Sequence, residues 1–303
     1  MELYQLRYFV AVAETHNFTR AAERSNVSQP SLSQQIINLE AEVGHKLFHR
    51  LGRKAVLTEA GTAFLQRAKR ILFEVENAAR ELSDHPSLGR RITVGAVQTV
   101  MPYLVTPFLA ECRIHHPNLL IDAREDFRSD LIRAVVDGDL DLAVVPLPVV
   151  EHRVSIEPLL TEPLLLVVGK EHPFALRSEI SIQDLAAETF VSLGDSSALS
   201  AQIRSFFGDQ KFQPRIGIRC AQVATLKLFV AQGSGISILP ELARTPDDRD
   251  ALTYLRLTGS LPTRQLVVIR HLQRYQSRGA EQFLTHFREY VKAREAAASA
   301  NPA

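Results

Sequence analysis

The chain has 303 residues, 46% hydrophobic and 23% charged, with a formal net charge of +1 at pH 7. This composition is typical of a globular protein and excludes disordered, fibrous and strongly basic chains. No apolar run approaches the roughly 20 residues of a membrane span, and the N-terminus lacks the pattern of a signal peptide, so we expect a cytoplasmic protein. Because one core seldom exceeds about 250–300 residues, we also expect more than one folding unit.

Signals of cofactor, metal or catalytic sites are weak. Cys112 and Cys220 are far apart in the sequence and, in a reducing compartment, are most simply buried thiols. His115 and His116 would point about 100° apart on a helix and make a poor metal pair. No nucleophile stands beside a base with support from its surroundings. We therefore expect no cofactor, no metal site and no enzyme activity.

Three helices are predicted before Gly44. The first ends at the segment "THNF", and a short second helix follows. Ser28 is a good N-cap for the third helix, with Pro30 in its first turn and Gly44 at its end. The predicted inner residues of that helix are Leu32, Ile36, Leu39 and Val43, and the outer ones are Gln29, Ser31, Ser33, Gln34 and Asn38. Two short helices joined by a tight turn form a helix-turn-helix pattern.

The segment "KLFHRLGRKAVLTEAG" predicts a β-hairpin with Arg50, Arg53 and Lys54 near its tip. A basic hairpin beside such a helix is typical of a wing that contacts phosphates or the minor groove. Uncharged polar side chains on the helix can reach base edges in the major groove. For the helix by itself, a merely solvated face is a comparable explanation, but the helix and the wing together favour DNA binding.

A long helix is predicted from Thr58 to about Asp84. Its small and apolar residues recur at steps of four and three, which indicates a seam for a partner helix, most simply from a second copy of the chain. The predicted dimerisation residues are Leu65, Ala68, Leu72, Val75, Ala79 and Leu82.

From Arg90 onward, short apolar β segments alternate with helical stretches. This alternation predicts two mainly parallel sheets covered by helices, with a ligand crevice at the carboxyl ends of strands. Gln98 and Thr99 follow the first strand at the N-terminus of a predicted helix, which would favour an anion there. Ser196 and Ser197 are expected opposite them, again just before a helix. For either serine, capping of that helix is an equally good explanation.

The segment from Leu6 to Gly61, including "VSQPSLSQQI", "LFHR" and "LTEAG", resembles the N-terminal domain of the LysR-type transcriptional regulators. The remaining length is similar to the linker helix and effector domain of that family. The resemblance implies DNA contacts from the third helix and the wing, made by Ser28, Gln29, Pro30, Ser31, Ser33, Gln34, Arg50 and Arg53. It also implies effector contacts from Gln98, Thr99, Phe127, Arg128, Pro146, Ser196 and Ser197.

The expected fold is a winged helix-turn-helix domain, all-α apart from its wing, followed by a linker helix and an α/β effector domain. The effector domain would consist of two Rossmann-like subdomains resembling periplasmic binding proteins. The expected boundaries are 1–58 for the winged domain, 59–88 for the linker and 89–303 for the effector domain. Within the last, subdomain I would span about 89–162 and 264–303, and subdomain II about 163–263.

The resemblance implies a regulator that binds double-stranded promoter DNA as a dimer of dimers (a homotetramer), with RNA polymerase as a further partner. Its effector would be a small molecule, and we expect a carboxylate or an aromatic acid. Two alternatives stay open. A solute-binding protein would suit the C-terminal two-thirds, but the missing signal peptide opposes it. An α/β enzyme would need a cofactor fingerprint or metal cluster that the sequence lacks.

Segments such as "TVMPYL" and "QGSGISILP" are most similar to the peroxide-sensing members of that family. Those sensors need two cysteines, whereas Ala198 and Phe207 stand at the approximate positions here. A thiol cannot be oxidised where none exists. We therefore expect no peroxide switch of that design.

Overall fold

The computed structural model describes residues 1–51, 54–83, 90–259 and 261–300, and of residues 50, 51, 83, 90 and 298–300 it describes the backbone alone. The chain divides into two compact units, Met1–His85 and Pro86–Ala303. Across the described residues, no helix combines the length and apolar character needed to cross a membrane.

The first unit contains four helices and a β-hairpin. The order is α1 (Leu3–Thr15), α2 (Phe18–Arg24), α3 (Gln29–Val43), β1 (Phe48–Leu51), β2 (Lys54–Leu57) and α4 (Glu59–Ser83). The two strands are antiparallel, with Phe48 opposite Leu57. The predicted helix-turn-helix and hairpin are both present.

Local sequence signals set the helix ends of this unit. His16 adopts a left-handed conformation after α1, and the Asn17 side chain accepts hydrogen bonds from the first turn of α2. Ser28 caps α3 by accepting the N–H of Ser31, and Gly44 ends α3 at φ 73°. These residues account for the break at "THNF" and for the tight turn before α3.

The predicted seam along α4 divides into two parts. Ala68 is fully buried in the core of the first unit, and Leu65 and Leu72 pack against the same core. Val75 is half-buried, while Ala79 and Leu82 are exposed. The N-terminal half of the seam therefore covers the chain's own core, and only the C-terminal half remains for a partner helix.

The second unit is an α/β structure built around two cores. Its β-strands and α-helices are β3 (Arg90–Ala96), α5 (Thr106–His115), β4 (Leu119–Glu125), α6 (Arg128–Asp137), β5 (Leu142–Pro146), β6 (Val154–Gly169), β7 (Thr189–Leu193), α7 (Ala198–Asp209), β8 (Arg215–Cys220), α8 (Val223–Ala231), β9 (Ser237–Pro240), β10 (Leu252–Leu255), β11 (Thr263–His271) and α9 (Arg278–Ala300). A π-helical turn, Met101–Val105, precedes α5, and a short 3-10 segment, Gln183–Ala187, precedes β7.

The large sheet has the order β10-β6-β11-β5-β3-β4, with β9 also paired to β6. The pairs β3–β4 and β3–β5 are parallel, but β11 is antiparallel to β5 and β6. The prediction of mainly parallel sheets was therefore wrong for this sheet. The reason is that β6, 16 residues long, leaves the first core for the second, and β11 returns beside it in the opposite direction.

Candidate functional site

The outer face of α3 is polar and accessible. The side chains of Gln29, Ser31 and Gln34 are exposed, and Ser33 is half-buried. Gln29 Nε2 donates to Ser33 Oγ at 3.3 Å, and Gln34 Nε2 donates to Asn38 Oδ1 at 3.0 Å. These pairs, four residues apart, hold amide groups on the helix surface in defined positions.

Other predicted residues of α3 have different surroundings. Ser28 and Pro30 are exposed, but the Ser28 hydroxyl already accepts the Ser31 N–H at 3.3 Å. Gln35 lies next to Gln34 but turns inward, where its Oε1 accepts a hydrogen bond from the buried Gln5 at 3.1 Å. Of these two adjacent glutamines, Gln34 is therefore available on the surface, whereas Gln35 takes part in packing against α1.

Glu40, on the inner side of α3, fixes the start of the wing. Its buried carboxylate accepts the N–H groups of Leu47 at 2.9 Å and Phe48 at 3.2 Å, and the Lys46 ammonium at 2.8 Å. Burial raises the pKa of this carboxyl, but the hydrogen bonds from Lys46 and the two amides outweigh it, so the pKa is lowered. Sequence reasoning missed Glu40, although a charge among the inner residues of α3 was a usable signal.

Of the basic residues predicted for the wing, only Lys54 has a described side chain. Arg53 lies outside the described residues, and Arg50 is described by its backbone, which pairs with Ala55. Lys54 begins β2 with an exposed side chain. Ion pairs engage two other lysines of this unit, Lys46 with Glu40 and Lys69 with Glu14, the latter at 2.9 Å. The positive charges of these two lysines are therefore balanced within the unit.

In the second unit, five of the predicted effector residues line one crevice between the two subdomains. They are Gln98, Thr99, Phe127, Arg128 and Ser197. Pro146 and Ser196 do not line it: Pro146 is buried in β5 and Ser196 is exposed. The crevice encloses only about 10 Å³ in this structure. Because a single water needs about that much space, the crevice is too narrow for a small molecule in this arrangement.

Positive potential converges on this crevice. Both α6, beginning at Arg128, and α7, beginning at Ala198, present their N-termini to it. Arg128 Nη1 is buried and has no hydrogen-bond partner. Asp126, on the same wall, is held by Arg124 and by the Phe127 N–H, and these bonds lower its pKa. The arrangement can accept an anionic group through Arg128 and the helix amides.

The two serines before α7 differ. Ser197 stands at the N-cap position, yet its side chain makes no capping hydrogen bond, and it is buried against the crevice. Capping therefore does not account for Ser197. Ser196 is exposed and away from the crevice.

A buried ion pair behind the crevice escaped sequence reasoning. Arg264 on β11 donates to Glu162 on β6 at 2.8 Å, and also to the hydroxyl and carbonyl oxygens of Thr99 at 2.7 and 3.1 Å. Glu162 in turn accepts the Leu242 N–H at 2.7 Å. The available signal was opposite charge in two largely apolar strands, with glutamates in β6 and arginines in β11. Because both oxygens of Thr99 already accept hydrogen bonds from Arg264, they are less able to contact a ligand.

The cysteines lie in separate cores. Cys112 belongs to the first core and Cys220 to the second, and both are buried. Burial, together with the nearby Glu111, raises the pKa of the Cys112 thiol to about 11, and burial raises that of Cys220. Ala198 lines the crevice and Phe207 is packed in the second core. This geometry offers no reactive thiolate among the described residues.

Comparison with known proteins gives a consistent result. Residues 3–62 match the family described as "Bacterial regulatory helix-turn-helix protein, lysR family", and residues 85–292 match "LysR substrate binding domain". The chain is 34% identical over 273 residues to the "DNA-binding transcriptional dual regulator OxyR" of Escherichia coli strain K12, covering 89% of each protein.

Two solved structures extend the comparison. A full-length OxyR variant from Pseudomonas aeruginosa matches with a TM-score of 0.68 and 25% identity over 96% of this chain and 95% of that one. Full-length CbnR in complex with its target DNA matches with a TM-score of 0.56 and 24% identity over 96% and 100% of the chains, a likeness of fold alone.

Proposed function

Because the chain belongs to the LysR family of bacterial transcriptional regulators, we propose that the outer face of α3 reads promoter DNA and that the crevice between the subdomains binds an anionic effector. As a family member, the chain is a DNA-binding transcriptional regulator with an effector-binding domain. The observation that carries the proposed DNA site is the exposed row of uncharged hydrogen-bonding groups on α3.

Gln29, Ser31 and Gln34 would contact base edges in the major groove, where amide and hydroxyl groups distinguish base pairs. Ser33, through its bond to Gln29, would hold that amide in place, and Ser28 and Pro30 would set the start of the helix. Arg50, Arg53 and Lys54 would contact phosphates from the wing. Fluorescence anisotropy tests this: the full chain should bind the duplex upstream of its own gene more tightly than a shuffled duplex of equal length.

The proposed effector is a small carboxylate. The buried, unpartnered Nη1 of Arg128 and the N-termini of α6 and α7 support an anion, and Gln98, Phe127 and Ser197 would form the surrounding walls. With about 10 Å³ available, the effector has to bind an arrangement in which the subdomains are further apart. It would then shift the regulator between two arrangements through its different affinity for each.

Thermal-shift screening of the full chain against small carboxylates tests the crevice, because a ligand that binds only the folded form raises the melting temperature. Arg128→Gln should abolish the shift given by a carboxylate that binds there. Arg133→Gln, an exposed position on the same helix α6, should retain it. A shift that persists in Arg128→Gln would place the ligand elsewhere.

Self-association would complete the regulator. In the C-terminal half of α4, Ile71, Ala78 and Leu82 are exposed, with Val75 half-buried between them, and their spacing of four, three and four suits a coiled-coil partner. We propose that a second copy packs there and that two such dimers form a tetramer in the cytoplasm, without enzyme activity and with RNA polymerase as a further partner. Sedimentation should show a smaller species for Leu82→Lys than for the unsubstituted chain.

A further inference from the structure

A second cavity lies inside subdomain II, apart from the proposed effector crevice. It has a volume of about 390 Å³ and is enclosed by β7, α7, β8 and the residues between α7 and β8. This volume is within the range of small-molecule sites, about 300–1,000 Å³.

The interior of the cavity is apolar. Phe190, Phe207 and Phe212 form one wall, with the ring centroids of Phe207 and Phe212 4.9 Å apart. Three serines also line it, but their hydroxyls already donate to backbone carbonyls: Ser192 and Ser200 to Leu193, at 3.0 and 2.8 Å, and Ser237 to Val191 at 2.8 Å. Because these hydroxyl protons are already used, the interior favours an apolar group.

Charges surround the mouth of the cavity. Asp195 lies between two arginines: its Oδ1 is 2.7 Å from Arg204 Nη1, and its Oδ2 is 3.9 Å from Arg219 Nε. All three side chains are more than half exposed, so their mutual attraction is weak. Two guanidinium groups facing one carboxylate leave one positive charge for a ligand to neutralise.

We propose that this cavity is a second ligand site, which binds a monocarboxylate with an apolar tail. The tail would enter between the phenylalanine rings, and the carboxylate would stay at the mouth and accept hydrogen bonds from Arg219 and Arg204. Charge complementarity at the mouth and the apolar interior together select this class over dicarboxylates and sugars, whose polar groups would lose their hydration inside.

Helix α7 connects the cavity to the crevice. Leu199 lines both, and Ser197, which immediately precedes this helix, faces the crevice. Gln202, also on α7, donates to the Leu147 carbonyl of subdomain I at 3.0 Å. A ligand in the cavity would therefore act on the crevice through α7. This regulatory consequence rests on the proposed effector role of the crevice, whereas binding in the cavity does not.

Isothermal titration of the full chain with sodium octanoate tests the proposal. We expect saturable binding that is about tenfold tighter than that of 1-octanol, which has the same tail without the charge. Ile203→Trp, on the cavity side of α7, should abolish octanoate binding by filling the cavity. Ile114→Trp, the same substitution at an exposed position on α5, should leave it unchanged.

The charged mouth is tested separately with exposed residues whose substitution leaves the core intact. Arg219→Gln should weaken octanoate binding about tenfold and leave octanol binding unchanged, while Arg215→Gln, at the start of the same strand, should alter neither. Arg128→Gln, which removes the proposed anion site of the crevice, should keep octanoate binding. Absence of octanoate binding by the folded chain, binding that survives Ile203→Trp and Arg219→Gln, or binding lost in Arg128→Gln would each overturn the proposal.

Discussion

Arg264 and Glu162 form a fully buried ion pair, with Nη2 and Oε1 2.7 Å apart, where β11 and β6 pass between the two subdomains. The pair also fixes Thr99 of subdomain I and, through Glu162, the Leu242 amide. The two strands that join the subdomains are thus tied to both of them by one polar network.

Removing the charge of Glu162 should destabilise the second unit strongly. Glu162→Gln leaves the Arg264 guanidinium buried without a counter-charge, and we expect a loss of about 3–5 kcal/mol in the free energy of unfolding, measured by urea denaturation. Asp122→Asn is the matched control, because Asp122 and Arg91 form an exposed pair at 3.5 Å whose loss should change stability little. Equal effects of the two substitutions would contradict a stabilising role for the buried pair.

Acid should loosen the junction between α3 and the wing. The pKa of Glu40 is lowered in the folded chain, so its stabilisation is complete above the unfolded value of about 4.3 and is lost as pH falls through the lower folded value. Glu40→Gln should cost about 1–3 kcal/mol at pH 7 and should reduce the loss of stability between about pH 5 and more acid pH, to be measured by thermal melts. Glu23→Gln, at an exposed position on α2, should keep the acid dependence of the unsubstituted chain.

Alanine substitutions at two glycines in helices should have different effects on stability. At Gly61 on α4, a Cβ would lie 2.0 Å from the Leu47 carbonyl oxygen, so Gly61→Ala should destabilise the first unit by about 1–3 kcal/mol. At Gly208 on α7, a Cβ would meet no atom within 4 Å, so Gly208→Ala should be neutral or stabilise by up to about 1 kcal/mol. Unfolding midpoints of the two variants give the comparison. A tolerated Gly61→Ala would show that α4 can move away from the wing.

Substitutions in the proposed DNA site should separate sequence preference from general affinity. Gln29→Ala should reduce the preference for the upstream duplex by about 1–3 kcal/mol, because a base contact is lost. Lys54→Gln should weaken binding to all duplexes and reduce the slope of log affinity against log salt by about 1. Gln222→Ala, at an exposed glutamine of the other unit, should change neither quantity in anisotropy titrations. Unchanged preference in Gln29→Ala would remove that residue from the site.

Hydrogen peroxide should leave DNA binding unchanged. With a pKa of about 11, roughly one Cys112 thiol in ten thousand is ionised at pH 7, and Cys220 is buried in another core. Titration of thiols after peroxide treatment should recover both groups, and anisotropy should give the same affinity before and after treatment. A change in affinity that Cys112→Ser or Cys220→Ser abolishes would identify a redox role for that cysteine.

Predictions from local signals were correct where neighbours in sequence are neighbours in space. Ser28, Pro30 and Gly44 mark the ends of α3, and the inner residues Leu32 and Ile36 are buried as their spacing indicated. Periodicity also placed Leu65 and Ala68 on one face of α4. Periodicity does not show what covers that face. In the structure, both residues pack against the chain's own core and are not left for a partner helix.

The sequence by itself determined the helix-turn-helix, the wing, the long helix and the α/β character of the rest, because caps, turns and apolar spacing act over a few residues. Only the tertiary structure decided that Glu162 and Arg264, 102 residues apart, pair at a strand crossing, and that five predicted crevice residues meet while Pro146 and Ser196 do not. Such contacts depend on strand register and on the packing of distant elements, and local periodicity specifies neither.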